Sequence, residues 1–214
     1  MRHLLVDLDE TLYPREAGIL LAIRHKIREF IVSELDIDSE QAESLRLHYL
    51  EKYGTSMRGL IAHHNIDPET YLAYVHRVDI AGRIQSDGEL RIFLGKVDAR
   101  KVIFTNATAE HADRVLDALG VGDQFDRVID IRDVGFVGKP EEAAYRKVLE
   151  ILEVPGYRCL IVDDSIRNLV SAARLGMTTA LVNGADGGTA DIVVSRVPEL
   201  EEPLERMGWL HKGS

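Results

Sequence analysis

Leu4-Leu5-Val6-Asp7-Leu8-Asp9-Glu10-Thr11-Leu12 sets a short apolar run against two carboxylates that stand two residues apart. Such a run, with no polar alternation, reads as a parallel strand covered on both faces. If Asp7 stands at the carboxyl end of that strand, both acids enter the crevice where doubly wound α/β folds bind ligands. Alone the pattern is weak, because acidic residues also begin solvated loops. Its weight comes from what recurs downstream.

Apolar runs of the same kind recur at Val102 to Phe104, Val128 to Ile131, Leu160 to Val162, Ala180 to Val182 and Ile192 to Val194. The segments between the later runs carry helical spacing. Glu110 to Leu119 places Ala112, Val115, Leu116 and Leu119 on one face and ends at Gly120, a helix-stopping residue. Ala143 to Leu152 repeats the pattern before Pro155-Gly156, Ile166 to Leu175 ends at Gly176, and residues 197–207 form a candidate last helix. From residue 101 onward the alternation therefore predicts a doubly wound, Rossmann-like α/β domain on a parallel sheet.

The first strand breaks that rhythm, because residues 7–101 separate it from the second. Ile19, Ile23, Ile27, Phe30, Ile31 and Leu35 recur three or four apart, as do Leu45, Tyr49 and Leu50, and then Tyr71, Tyr74 and Val75. The expected organisation is an α/β core of residues 1–15 and 85–214, with a small helical cap, residues 16–84, inserted after the first strand.

Composition narrows the partners. The 214 residues are 45% hydrophobic and 29% charged, a globular balance. A formal net charge of -10, with no long run of lysine or arginine, repels phosphate backbones and anionic lipid heads, so neither nucleic acid nor membrane is an expected partner. A small anionic substrate needs a local reversal of that field. Cys159 is the only cysteine and has Leu160 and Ile161 beside it, which points to an inert core thiol and a reducing, cytoplasmic setting. The N-terminus runs into the apolar strand without a signal-peptide pattern, and no stretch approaches the ~20 apolar residues that span a bilayer.

Three further stations follow expected strands or open expected helices: Thr105-Asn106, Gly138-Lys139-Pro140 and Asp163-Asp164-Ser165. Each has a bland reading as a capping hydroxyl, a solvated charge or an N-cap. Taken in order with Asp7-Leu8-Asp9-Glu10-Thr11, they resemble the four motifs of the haloacid dehalogenase superfamily, and the long gap after the first motif is where many members insert a helical cap. Asp9-Glu10-Thr11-Leu12-Tyr13-Pro14, Tyr53-Gly54-Thr55, Val75-His76-Arg77-Val78-Asp79 and Ile103-Phe104-Thr105-Asn106-Ala107 look more narrowly like its pyrimidine 5'-nucleotidase-like branch.

The resemblance implies a phosphatase acting on a small phosphorylated metabolite. Asp7 would attack phosphorus, Asp9 would serve as acid and then base, Thr105 and Lys139 would hold the transferring oxygens, and Thr11 and Asn106 would support the substrate. Four converging carboxylates would repel, each close pair by about 4 kcal/mol at ~4 Å and an effective dielectric of ~20. Mg2+ resolves that conflict, with Asp7, the main-chain carbonyl of Asp9, and Asp164 with Asp163 nearby as its expected ligands. Asp9 must be protonated to act as the acid, a state that burial and a neighbouring carboxylate would favour. A nucleoside monophosphate is the first expectation for substrate, and a sugar phosphate or phosphoglycolate the second.

Three rival classes share parts of this pattern. A 2-haloacid dehalogenase of the same superfamily needs no metal, but its second aspartate is typically replaced, whereas Asp9 is present here. A receiver-type phospho-switch lacks both the insertion and the late paired aspartates. A phosphomutase would release an isomer instead of free phosphate. Among the remaining residues, His63, His64 and His76 read as surface or cap-packing histidines, Tyr13 and Pro14 as shaping a turn, Arg167 and Asn168 as helix-start residues near the acids, and Trp209 as packing.

Overall fold

Six strands lie side by side in the computed structural model, which describes residues 1–184 and 188–211. They are β1 (His3–Val6), β2 (Arg100–Phe104), β3 (Arg127–Ile129), β4 (Cys159–Asp163), β5 (Thr178–Val182) and β6 (Ile192–Val194). All neighbours are parallel, in the order β3-β2-β1-β4-β5-β6. Leu5 sits in register with Val102 on one side and Ile161 on the other, and every residue of β1 and β4 is buried. That two-sided burial is why these runs show no polar alternation. Strand order turns at β1, so the carboxyl ends of β1 and its neighbour β4 flank the crevice where such folds place ligands.

The insertion supplies α1 (Ile19–Leu35), α2 (Ser39–Tyr53), α3 (Ser56–His64) and α4 (Pro68–Val75) between β1 and β2. Asp38 starts α2 with a reciprocal cap: its carboxylate accepts from the backbone N–H groups of Glu40 and Gln41, while the Gln41 side chain accepts from the Asp38 N–H. Phe30 of α1 meets Tyr71 of α4 edge to face, with ring centres 5.2 Å apart, which joins the first and last helices of the insertion. Gly54 ends α2 in a left-handed conformation at φ 79°. A side chain there would also come within 3.1 Å of the Pro140 ring, so glycine lets the insertion approach the turn that carries Lys139.

Helices α5 (Gly88–Lys96), α6 (Ala109–Leu119), α7 (Glu142–Leu152), α8 (Ile166–Arg174) and α9 (Glu201–Arg206) complete the described chain. Ala112, Val115, Leu116 and Leu119 form the buried stripe of α6, and Gly120 follows at φ 70°. Residues 85–99 carry no clear period in the sequence. The structure places α5 there, started by the Asp87 carboxylate and holding only Leu90, Phe93 and Leu94 inward, too few apolar positions for the period to stand out. The expected last helix divides into a 3-10 turn, Val197–Leu200, and the short α9. Trp209 is buried, as expected of a packing residue, with the Arg2 guanidinium 5.3 Å from its ring centre. Cys159 is buried too, and burial pushes its thiol up to about 11, which makes it unreactive.

Candidate active site at the carboxyl ends of β1 and β4

Asp7 follows β1, and its backbone N–H extends the ladder to the Val162 carbonyl of β4 at 2.9 Å. Its two carboxyl oxygens are engaged separately. Oδ1 accepts from Lys139 Nζ at 2.6 Å and Oδ2 from the Thr11 hydroxyl at 3.0 Å. The same ammonium donates to Asp163 Oδ2 at 2.8 Å, and all three side chains are nearly or wholly buried. Burial alone would strip the Lys139 proton, but the Asp163 and Asp7 carboxylates outweigh it and hold the ammonium charged well above its ordinary range. Asp7 is pushed above the usual carboxylate range by burial, against the pull of Lys139 and reinforced by Asp163 and Asp164.

Asp163 has little capacity left. Its Oδ1 accepts from the Ser165 N–H at 2.9 Å and from Asn168 Nδ2 at 2.8 Å, so Asn168 does assist the acidic site. Asp164 is freer, with one Arg15 contact at 3.3 Å, and burial together with Asp163 and Glu10 raises its carboxyl to about 6 against Lys139 and Arg15. Oxygens of Asp7, Asp163 and Asp164 all lie within 4.8 Å of one another, the one such acidic group found among the described residues. Three hard oxygen donors, with an excess of negative charge that the Lys139 ammonium does not cancel, fit a divalent cation such as Mg2+. Its three side chains are those the motifs nominated, and Asp9 was nominated through its main-chain carbonyl alone.

Asp9 points to different partners. Oδ1 accepts from the Tyr13 hydroxyl at 2.5 Å and from His111 Nε2 at 2.9 Å. Burial would raise this carboxyl, yet the closeness of His111 and the hydrogen bonds from His111 and Tyr13 carry it below the ordinary range. The expectation that a neighbouring carboxylate keeps Asp9 protonated is therefore corrected for this state, because its neighbours are donors. Tyr13, read from sequence as a turn residue, is one of them. His76 is half-buried where α4 ends, and its ring stacks on that of His111 with centres 4.8 Å apart and planes 28° apart. Burial and His111 bring His76 down to about 4, so it is neutral. His63 and His64 bond Tyr53 and Tyr49 within the insertion, as packing histidines would.

Thr105 and Asn106 close the floor. Thr105 is buried, and its hydroxyl oxygen accepts from the Ala107 N–H at 3.0 Å. Asn106 grips the Lys139 backbone in both directions, its Oδ1 accepting from the N–H and its Nδ2 donating to the carbonyl, each at 2.8 Å. Any Cβ on Gly138 would fall 2.3 Å from Asn106 Oδ1, which is why glycine precedes Lys139. Asn106 and Thr11 were expected at the substrate. The structure gives the Asn106 amide to Lys139 and the Thr11 hydroxyl to Asp7.

His111 was missed altogether. A signal existed: it lies one residue before Ala112 and four before Val115, on the apolar stripe of α6, where a polar side chain needs a reason. A cavity of about 290 Å³ opens over these groups, with Asp7, Asp9 and Lys139 on the sheet side and Leu20, Ile23 and Tyr71 of the insertion opposite.

The site thus combines a parallel sheet with its acids gathered at the switch point, an aspartate beside a buried lysine and a helical insertion overhead. The haloacid dehalogenase-like hydrolase family model matches residues 1–176, and the chain belongs to that family. Phosphate metabolism protein 8 of Saccharomyces cerevisiae is 27% identical over 80% of this chain, which spans only 58% of that protein's length. Glyceraldehyde 3-phosphate phosphatase of Pyrococcus abyssi is 27% identical over 81% of this chain and 77% of its own. The solved HAD phosphatase from Thermococcus onnurineus shares the fold at TM-score 0.63 and 22% identity, covering 98% of this chain and 99% of its own. So does the L-2-haloacid dehalogenase from Xanthobacter autotrophicus, at TM-score 0.62 and 16% identity over 96% and 98%. The fold alone thus does not divide the two chemistries, and the side chains must.

Proposed function

We propose that the protein is a Mg2+-dependent phosphatase that hydrolyses a small phosphate monoester through an aspartyl-phosphate on Asp7. The observation that carries this reading is the geometry of the first motif: Asp7 sits 2.6 Å from Lys139, while Asp9 is held apart from the Asp7–Asp163–Asp164 group by Tyr13 and His111. Two carboxylates in two environments suit two roles. A dehalogenase has no need of the second.

A Mg2+ ion held by Asp7, Asp164 and the main-chain carbonyl of Asp9, with Asp163 behind them, would neutralise the charge on the phosphoryl oxygens. Lys139 adds a fixed positive charge on the same side and keeps Asp7 oriented, and the Thr105 hydroxyl, whose oxygen accepts from the Ala107 N–H, has its own hydrogen to give to an oxygen that becomes equatorial. An Asp7 oxygen bonds to phosphorus as the bond to the leaving oxygen breaks, and Asp9, ionised in the free protein, takes up a proton as the substrate brings its negative charge beside it and gives that proton to the leaving oxygen. Water then attacks the same phosphorus, Asp9 takes the water proton, and the Asp7 carboxylate is regenerated with free phosphate. One hard step becomes two easier ones.

Residues 16–84 act in this reading as the cap that selects the leaving group. Its apolar wall at Leu20, Ile23 and Tyr71 favours a substrate with a flat or apolar portion, and a nucleoside monophosphate remains the first candidate. The Pyrococcus relative's name keeps a triose phosphate in contention, beside sugar phosphates and phosphoglycolate. The net charge of -10 argues for a free metabolite, not nucleic acid or a membrane surface, and the buried lone cysteine fits a reducing cytoplasm. Among the described residues no helix is long and apolar enough to cross a membrane.

The test is phosphate release from uridine 5'-monophosphate, glyceraldehyde 3-phosphate, phosphoglycolate and p-nitrophenyl phosphate, with Mg2+ and with chelator. Metal-dependent release from at least one supports the reading. Metal-free halide release from a 2-haloacid, with no phosphate released from any of the four, would replace it.

A further inference from the structure

We propose that His111 is a positioning residue for Asp9: with Tyr13 it fixes one carboxyl oxygen, and so presents the other to the leaving group. The inference rests on the phosphatase reading and deepens it. Both donors meet at Oδ1, Tyr13 at 2.5 Å and His111 at 2.9 Å, and among the described residues no protein group donates to Oδ2. Asp9 lines the cavity, so Oδ2 is the oxygen left for chemistry.

The two donors do different work. Tyr13 lies four residues from Asp9 on the same loop and moves with it, whereas His111 comes from α6, 102 residues away, and ties the loop side chain to the core. A short side chain held from two directions has neither torsion free, which is the orientation a proton transfer needs.

The histidine itself is built for this contact. His111 is fully buried and its Nδ1 finds no partner. A buried, unprotonated ring nitrogen is tolerated more readily than an orphaned N–H, so the network assigns the hydrogen to Nε2, where it donates to Asp9. The His76 ring braces the other side at 4.8 Å, and Arg114 of α6 grips the His76 and Val78 carbonyls at 2.6 and 3.3 Å. The return segment of the insertion and the orientation of Asp9 are thereby fixed to the same helix.

Phenyl phosphate and p-nitrophenyl phosphate test this, because they are alike in shape and differ in how much the leaving oxygen needs a proton. The readout is kcat/KM with Mg2+, which ends at departure of the leaving group and is blind to the later water step. His111→Leu is expected to lose about tenfold or more on phenyl phosphate and less than about threefold on p-nitrophenyl phosphate, a fraction of the ~100-fold or more that a general acid supplies. His111→Gln, which keeps an N–H donor at similar reach, recovers most of the loss. Tyr13→Phe removes the other donor, gives the same unequal pattern, and carries the test if the leucine variant does not fold by thermal melting. Equal losses on both substrates, or no recovery with glutamine, overturn the positioning role while leaving the phosphatase reading intact. A wild-type protein that releases phosphate from none of the esters named here and above defeats that reading first, and the inference with it.

Discussion

Lys139 Nζ lies 2.6 Å from Asp7 Oδ1 across 132 residues of chain, and 2.8 Å from Asp163 Oδ2 across 24. One ammonium thus joins the strand that opens the fold to the strand that flanks it, in a nearly buried cluster at the foot of the cavity. Removing one member of a buried ion pair leaves the others uncompensated, at about 3–5 kcal/mol.

Lys139→Ala is therefore expected to lower the melting point of the metal-free protein and to cut kcat by about 100-fold or more with Mg2+ present, as loss of a charge aimed at the transition state does. A loss below about threefold, under ~0.7 kcal/mol, would mean the ammonium serves folding alone. Melting curves and saturating kinetics on one variant separate the two contributions.

Asp7→Asn is expected to abolish turnover without disturbing the fold. Burial already disfavours the Asp7 charge, and Lys139 keeps Asp163 as a partner, so the neutral amide should leave the metal-free melting point within about 1 kcal/mol of wild type. Near-normal turnover in this variant would end the nucleophile assignment.

Asn106→Ala should lower kcat about tenfold and leave KM within about twofold, because both ends of the amide hold the Lys139 backbone and neither is free for substrate. A raised KM with unchanged kcat would return Asn106 to the substrate-contact role that its place in the sequence implied.

That contrast marks what a sequence can convey. Strands with every residue buried announce themselves, as β1 and β4 did, because two-sided burial removes polar alternation from the chain itself. Asp7, Lys139, Asp163 and Asp164 were legible for a related reason: each follows a strand or opens a helix at one edge of the sheet, so chain order carries position. Partners that meet through side-chain direction were not legible. Asn106 turns to a backbone 33 residues on, and His111 reaches Asp9 only because α6 packs where it does. The helix α5 escaped notice because its inward face rests on Leu90, Phe93 and Leu94 alone.

The acidic group also sets how the protein should respond to pH. Asp164 is raised from 3.8 to about 6, and Asp7 is raised with it, so the folded protein keeps protons that the unfolded chain releases. Without metal, their contribution to stability is full below the unfolded value and is lost as pH rises through about 6. Mg2+ needs the same carboxylates deprotonated, so its affinity must climb over that window. The rise in melting point on adding Mg2+ should therefore be small near about pH 5 and much larger near about pH 7.5, approaching ~2.7 kcal/mol when the ion stands at ~100 times its Kd. Asp164→Asn should flatten both trends, since it removes the raised group and a proposed ligand together. A Mg2+ shift of equal size at both pH values, in wild type and variant alike, would place the ion elsewhere on this acidic surface.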